Sequence, residues 1–348
     1  MKSMRLLIAV ILFAAAALTT ASAQEEKEAV KLFQLGQSYR TPMSMVAAFA
    51  EARGNEFNVD AYLPPGVPIH AHWSKLDRSP GLVADKDYDV LCLIPYYDFR
   101  DESPPAAAGF FGLALKKNPD VRAYIVDHWP RRSMPMEEKE AWIEENLPKF
   151  EAMAAKANEE HPDARHPMRV IPRAPAFMEL LRRCEQIPGF TYPATAYNDG
   201  GHQSNTSNYM FASMEYAWIF GESPLGLPER AEQRSRRRTG PLFDLTKQQA
   251  LALQRIGYYH LTHHPTSGVE LPDDGAAPVT PADVQVEATH EAVALSWPEV
   301  QDEGTGTHKY VVRRSDGAEF DNVIARYVDR SVKSGKSYTY RVVAVDFA

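Results

Sequence analysis

Cysteine is nearly absent from this chain of 348 residues, with Cys92 and Cys184 the only two. A fold stapled by several disulfides is thereby excluded. Cys92 lies within the apolar run from Asp89 to Pro95 and reads as an ordinary buried strand residue, so free thiols are expected, with a Cys92–Cys184 disulfide as the alternative in an exported protein. An excess of positive charge is also missing. Lys and Arg number 38 against 46 Asp and Glu, a net charge of -8; a surface of that sign does not neutralise phosphates, so nucleic acid is not an expected partner. The local exception, Arg234, Arg236, Arg237 and Arg238 beside Glu229 and Glu232, reads as a solvated loop, with contact to an anionic substrate as the alternative. No apolar run after Leu18 approaches the length that spans a bilayer, which argues against an integral membrane protein.

The one long apolar run, Leu6 to Leu18, follows Met-Lys-Ser-Met-Arg and leads to small residues at Ala21 and Ala23. That order is a secretory signal peptide over residues 1–23, implying an exported protein, periplasmic or extracellular. The remainder is too long for one ordinary domain and suits a large domain with a small one.

From Val30 onward, β-prone runs alternate with helix-periodic ones. Strands are expected at 30–36, 56–62, 88–95, 121–127 and 168–172, and helices at 106–117, 137–159, 175–184, 207–220 and 247–261. An early helix should open with Thr41 as N-cap and Pro42 at its first position. Gly221 should stop the helix before it, and Thr246-x-x-Gln249 spells a capping box. Strands of nearly continuous hydrophobicity between helices imply a parallel sheet covered on both faces. After His264 the texture changes: residues 265–280 read as a linker, and short strands at 284–288, 292–297, 309–314 and 338–345 read as a β-sandwich over 281–348. Its runs Val293-Ala-Leu-Ser-Trp-Pro298, Tyr310-Val-Val-Arg-Arg314 and Ser334 to Val345 resemble a fibronectin type III module lacking its last strand, which could supply contact to a cell envelope or matrix.

Two segments carry the residue types of nucleophilic catalysis. Gly36-Gln37-Ser38-Tyr39 directly follows the first strand, at the carboxyl end of the sheet where open α/β folds place ligands. Asp199-Gly-Gly-His202 precedes a late helix, and its spacing lets an aspartate orient an imidazole whose other nitrogen takes a serine proton. Each has a plainer reading: Ser38 as a helix cap, Asp199 as a turn residue.

These blocks, with Tyr197-Asn-Asp-Gly-Gly-His202-Gln-Ser-Asn205 running into the last helices, resemble the SGNH/GDSL hydrolases, secreted bacterial branch. The resemblance covers Val30 to His264 and implies a three-layer α/β/α flavodoxin-like domain over 24–264. It also implies a Ser38, Asp199, His202 triad with no cofactor, and an oxyanion donor at the Ser38 N–H. Gln37 stands where the family has aspartate, and Pro95-Tyr96-Tyr97 stands where it has Gly-x-Asn. Gly36, Tyr96 and Tyr97 are therefore candidates to complete the oxyanion site, and Arg40, His72 and Trp73 candidates to hold substrate. Arg40 in a surface salt bridge and His70-x-His72-Trp73 as a loop pair are the competing readings. His260, His263 and His264 read as a helix end, and no metal is expected. The expected activity is removal of O-acyl, chiefly O-acetyl, groups from a polysaccharide or small acylated substrate; a glycan-binding protein with a degenerate site is the alternative.

Overall fold

The computed structural model describes residues 28–348 apart from Asp77, Arg236, Arg237, Pro272, Asp273, Asp274, Ala276, Gln301 and Glu303. The expected signal peptide and two of the four clustered arginines lie outside the described residues.

The large domain opens with β1 (Val30–Leu35), α1 (Met43–Ala52), β2 (Phe57–Tyr62), α2 (Ile69–Ser74), α3 (Arg78–Val83) and β3 (Val90–Leu93). It continues through α4 (Ser103–Lys117), β4 (Arg122–Val126), α5 (Met136–Glu160), β5 (Arg169–Ile171) and α6 (Arg173–Arg183). It closes with α7 (Asn205–Phe220), a hairpin of β6 (Arg230–Ser235) and β7 (Arg238–Asp244), and α8 (Lys247–His263). The first five strands form one parallel sheet in the order β2-β1-β3-β4-β5. Alternate strand residues face opposite sides, and both sides are dry. Leu32, Val90, Cys92 and Tyr124 pack with α1, α6, α7 and α8, whereas Phe33, Leu35, Leu91 and Ile125 pack with α4 and α5. The expected three-layer α/β/α architecture is thus present, and the chain runs from β1 to β2 on one side and to β3 on the other. The carboxyl ends of β1 and β3 flank the crevice this reversal creates.

The helix signals that rest on backbone chemistry are in place. Gly221 ends α7 with φ of 66°, and Thr246 with Gln249 closes a reciprocal capping box on α8. Three local expectations need correction. Pro42, not Thr41, is the N-cap of α1, because the Thr41 hydroxyl is drawn inward to Glu215 and away from the helix N–H groups. His70, His72 and Trp73 lie on α2 rather than on a loop. Of the clustered arginines, Arg234 lies on β6 and Arg238 on β7 rather than on a loop, where antiparallel pairing from Arg230↔Asp244 to Ser235↔Arg238 supplies the backbone order that charge alone did not suggest.

The remaining strands are β8 (Gln285–Ala288), β9 (Val293–Ser296), β10 (Thr307–Arg314), β11 (Glu319–Asn322), β12 (Arg326–Asp329) and β13 (Tyr340–Asp346). They form two antiparallel sheets, β12-β9-β8 and β11-β10-β13, around Leu295, Trp297, Tyr310, Val312 and Val342. This sandwich is not loosely tethered. Val323, Ile324 and Phe347 join the core of the large domain. Arg255 of α8, 2% exposed, donates to the carbonyls of Thr307 (2.7 Å) and Val323 (2.8 Å) and pairs with Glu299 at 2.9 Å. His308 is stacked 4.1 Å from the ring of Tyr259. Among the described residues no helix is long and apolar enough to cross a membrane.

Candidate active site

The turn after β1 places Ser38 at the crevice. Gly36 is needed there because the end of β3 passes against it: a Cβ would fall on that of Ile94 and lie 2.5 Å from the Ile94 carbonyl oxygen. The following residue, Gln37, is buried, and its Oε1 accepts from the Tyr39 N–H at 3.1 Å and the Ser38 hydroxyl at 3.3 Å. That short-range pairing turns the backbone so that Ser38 is exposed between two buried neighbours.

The second segment is a loop closed by a bridge between Tyr197 and Gln203. Asp199 Oδ1 accepts from the N–H groups of Gly201 and His202, both at 2.8 Å, so the turn-residue reading of Asp199 is correct as far as it goes. Its other oxygen, Oδ2, lies 2.8 Å from His202 Nδ1. Those two backbone donors, then the imidazole, lower the Asp199 carboxyl to about 2 and keep it ionised. Across the crevice, His202 Nε2 is 3.0 Å from Ser38 Oγ, closing a contact between residues 164 positions apart. Both side chains of the pair are substantially solvated, 42% for His202 and 52% for Asp199.

The loop is held from behind by the segment after β4. Trp129 Nε1 donates to the Gly201 carbonyl at 3.0 Å, and the Arg132 N–H donates to Gly200 at 3.1 Å. Tyr39 lies flat on the His202 ring at 5.0 Å and edge-on to Tyr97 at 6.0 Å. Tyr97 in turn accepts from the Tyr96 hydroxyl at 2.8 Å and from Arg131 at 3.1 Å. Burial pushes the Tyr97 phenol up, but these donors bring it below its ordinary value.

Beneath the turn lies a buried ionic cluster. The Arg173 guanidinium, wholly buried, donates to the Tyr39 carbonyl at 3.0 Å and to Thr41 Oγ1 at 3.1 Å. It also donates to the Asp127 carbonyl at 3.1 Å and faces Glu215 at 3.7 Å. The Tyr124 hydroxyl donates to Glu215 at 2.7 Å. The cost of burying these charges is offset by their mutual pairing and by the faces of Trp129 and Phe211, which lie 5.4 and 5.1 Å from the guanidinium carbon.

The structure therefore brings Ser38, Asp199 and His202 together, with Tyr97 linked to them through Tyr39. Other sequence candidates fall elsewhere. The Gly36 N–H is spent on the Tyr62 carbonyl at 3.2 Å, so it is no oxyanion donor. His72 is wholly buried, with Nδ1 3.0 Å from Ser79 Oγ and Nε2 3.1 Å from the Gly36 carbonyl. Desolvation lowers it to about 4, and it braces the turn without meeting substrate. Trp73, 39% exposed, packs over Gly109 and edge-on to Phe110 at 5.0 Å, at the rim of the core on the opposite face of the sheet from Tyr39. Arg40 is exposed and lines an adjoining groove that Ser38, Asp199 and His202 do not line; among the described residues it forms no salt bridge. His260 is paired with Glu179 at 2.6 Å, and no group of three described His, Cys, Asp or Glu residues is arranged to hold a metal ion. Cys92 and Cys184 are free and buried, and desolvation raises both thiols. Sequence reasoning missed Tyr39, His128 and Trp129, although Asp127-His128-Trp129 follows β4 at the same carboxyl edge that drew attention to Tyr96 and Tyr97.

No family model matches the chain. Among curated proteins, two amylopullulanases are similar over short segments. The one from Thermoanaerobacterium saccharolyticum is 36% identical over 80 residues, 21% of this chain and 6% of that protein. That from Thermoanaerobacterium thermosulfurigenes is 35% identical over 82 residues and is matched over 4% of its length. The chain thus spans a small fraction of these relatives. Among solved structures, a DUF4886 family protein from Bacteroides uniformis superposes with a TM-score of 0.45 at 10% identity, covering 68% of this chain and 96% of that one. A carbohydrate esterase family 3 structure from Talaromyces cellulolyticus gives 0.38 at 13% identity, over 55% and 97% of the two chains. At these scores the likenesses carry no weight for function.

Proposed function

We propose that this protein is a serine hydrolase of acyl esters, of the SGNH/GDSL kind, acting through Ser38, His202 and Asp199. The observation that carries the reading is the continuous run of contacts from Ser38 Oγ through the imidazole to Asp199, at 3.0 and 2.8 Å. In this mechanism Ser38 Oγ bonds to the ester carbonyl carbon as its proton passes to His202 Nε2. Asp199 holds Nδ1–H and stabilises the imidazolium that forms. The negative charge on the former carbonyl oxygen falls to the Ser38 N–H, which has no internal partner among the described residues. Collapse expels the alcohol with the proton from His202, and water repeats the sequence to free the acid and Ser38.

We read the acylated alcohol as a carbohydrate and the acyl group as acetyl. Support for the carbohydrate is the local similarity to two amylopullulanases, whose names denote enzymes of polysaccharides. In the same reading the protein is exported, and the sandwich is a fibronectin type III-like module. A fluorophosphonate probe followed by peptide mapping tests the chemistry: the label should sit on Ser38, and hydrolysis of p-nitrophenyl acetate should be lost in Ser38→Ala and fall roughly 10³-fold or more in Asp199→Asn. Equal turnover by wild type and Ser38→Ala would remove the nucleophile and the reading with it.

A further inference from the structure

Two residues beyond Ser38, the chain enters a groove of about 970 Å³ between α1, the edge strand β2 and the β6–β7 hairpin. Its size lies at the upper end of ligand clefts, which run to about 1,000 Å³. Ser38, Asp199 and His202 do not themselves line it, but Arg40, two residues after Ser38, and Asn205, three residues after His202, do. The two ends are tied together, because Gln203 Nε2 donates to the Arg40 carbonyl at 2.6 Å. The groove's chemistry departs from that of the chain around it. The protein has 46 acidic residues against 38 basic ones, yet none of the described residues lining this groove is Asp or Glu. What lines it instead is one exposed guanidinium, the hydrogen-bonding side chains of Ser44, Asn205, Gln233 and Thr239, and the apolar surface of Phe57.

A carboxylate-free groove with positive charge at the end where the chain leaves Ser38, in a protein of opposite net charge, selects an anion by local field and by exclusion of like charge. We propose that this groove holds the backbone of an anionic polysaccharide and that Arg40 pairs with an acidic substituent near the ester presented to Ser38. The proposal rests on Ser38 being the nucleophile, since that is what gives the groove a reacting end. Amide and hydroxyl side chains beside an apolar wall suit the hydroxyls and C–H faces of sugar rings.

Binding is measurable without turnover, so the test is independent of the chemistry. The full-length Ser38→Ala protein is titrated calorimetrically with a uronate tetrasaccharide, a sulfated tetrasaccharide, a neutral mannose tetrasaccharide and an oligothymidylate. The expected result is binding of an acidic sugar at least tenfold tighter than the neutral one, weakening as salt is raised. Whichever acidic sugar binds tighter identifies carboxylate or sulfate as the partner of Arg40. Adding Arg40→Ala should weaken that binding by about tenfold, the value of one charge-assisted hydrogen bond. Thr239→Glu, which puts a carboxylate on the groove wall away from the Ser38 turn, should weaken it similarly. Equal binding of the neutral sugar, preference for the oligothymidylate, no binding of either acidic sugar, or indifference to both substitutions overturns the proposal. Each of those outcomes leaves the Ser38 labelling result standing or falling by itself.

Discussion

Gly36→Ala tests whether the nucleophile turn is set by backbone packing. Gly36 has φ of +155°, and the added methyl would sit on Ile94 Cβ, 2.5 Å from the Ile94 carbonyl oxygen and 2.9 Å from its Cα. None of these neighbours is a flexible side-chain end. Ile94 is itself fixed, its N–H donating to the Leu35 carbonyl at 2.8 Å. Relief must come from separating the ends of β1 and β3, and overpacking of this type costs about 1–3 kcal/mol. Ser38 lies two residues on, so part of that displacement reaches Oγ, whose contact with His202 tolerates little change. A shift of about 1 Å is worth roughly 10²-fold in rate. The variant should therefore lose one to two orders of magnitude in kcat for p-nitrophenyl acetate and melt several degrees lower. Gly81→Ala serves as the control: Gly81 is in α3 with open space at its Cβ, and alanine there should be neutral or stabilising by about 0.5–1 kcal/mol. Wild-type kcat and melting temperature in Gly36→Ala would refute the argument.

Two further outcomes test the frame around the site. Asp127 is fully buried, and desolvation, opposed by Arg173, raises its carboxyl to about 7 from the ordinary 3.8. An acid raised in the folded state keeps its full contribution below 3.8 and loses it as pH climbs through about 7, a difference of up to about 4 kcal/mol. Asp127→Asn preserves an acceptor for the Ala174 N–H, which donates at 2.9 Å, so it should melt above wild type at pH 8 with the advantage shrinking by pH 4; an advantage independent of pH would contradict the sign. Arg255→Met removes the donor to two carbonyls between the sandwich and α8 and leaves Glu299 with the Tyr310 hydroxyl alone, at a cost of about 1–3 kcal/mol. Calorimetry should show the melt fall or split, and an unchanged single transition would mean that the sandwich docks by its apolar contacts alone.

The sheet, its helices and the meeting of Ser38 with His202 and Asp199 were legible because each is encoded locally or by period. Val90 to Leu93 is buried on both faces and reads as continuous hydrophobicity; Thr246 and Gln249 make a cap that three-residue spacing defines. Asp199 and His202 lie on one short loop, and Ser38 follows a strand whose carboxyl end faces the crevice. What could not be read was packing between distant segments. His72 and Trp73 looked suited to a sugar because of their side chains, yet α2 turns the histidine under Gly36 and the tryptophan over α4. Thr41 had the right identity for a cap, but a buried Glu215, 174 residues later, claims its hydroxyl.

The same distant packing explains how a site so open to water keeps its geometry. His202 and Asp199 are about half solvated, and exposed charge pairs alone hold little energy. The order comes from below. Four of the five residues from Gly36 to Arg40 are fastened to different parts of the fold: the Gly36 carbonyl to His72 of α2, the Gln37 amide toward the Pro95 carbonyl at 3.4 Å, the Tyr39 carbonyl to Arg173 of α6, and the Arg40 carbonyl to Gln203. His128, which desolvation lowers to about 3, stays neutral beside Gln37 and Pro95 and so adds no charge that would shift with pH. Within that run Ser38 alone is left with its hydroxyl facing the imidazole. Gln203 then carries the constraint across, because it belongs to the bridge that closes the Asp199–His202 loop. Ser38 and His202 are consequently positioned by one connected scaffold, and a substitution in that scaffold should change the Ser38–His202 separation before it changes the fold.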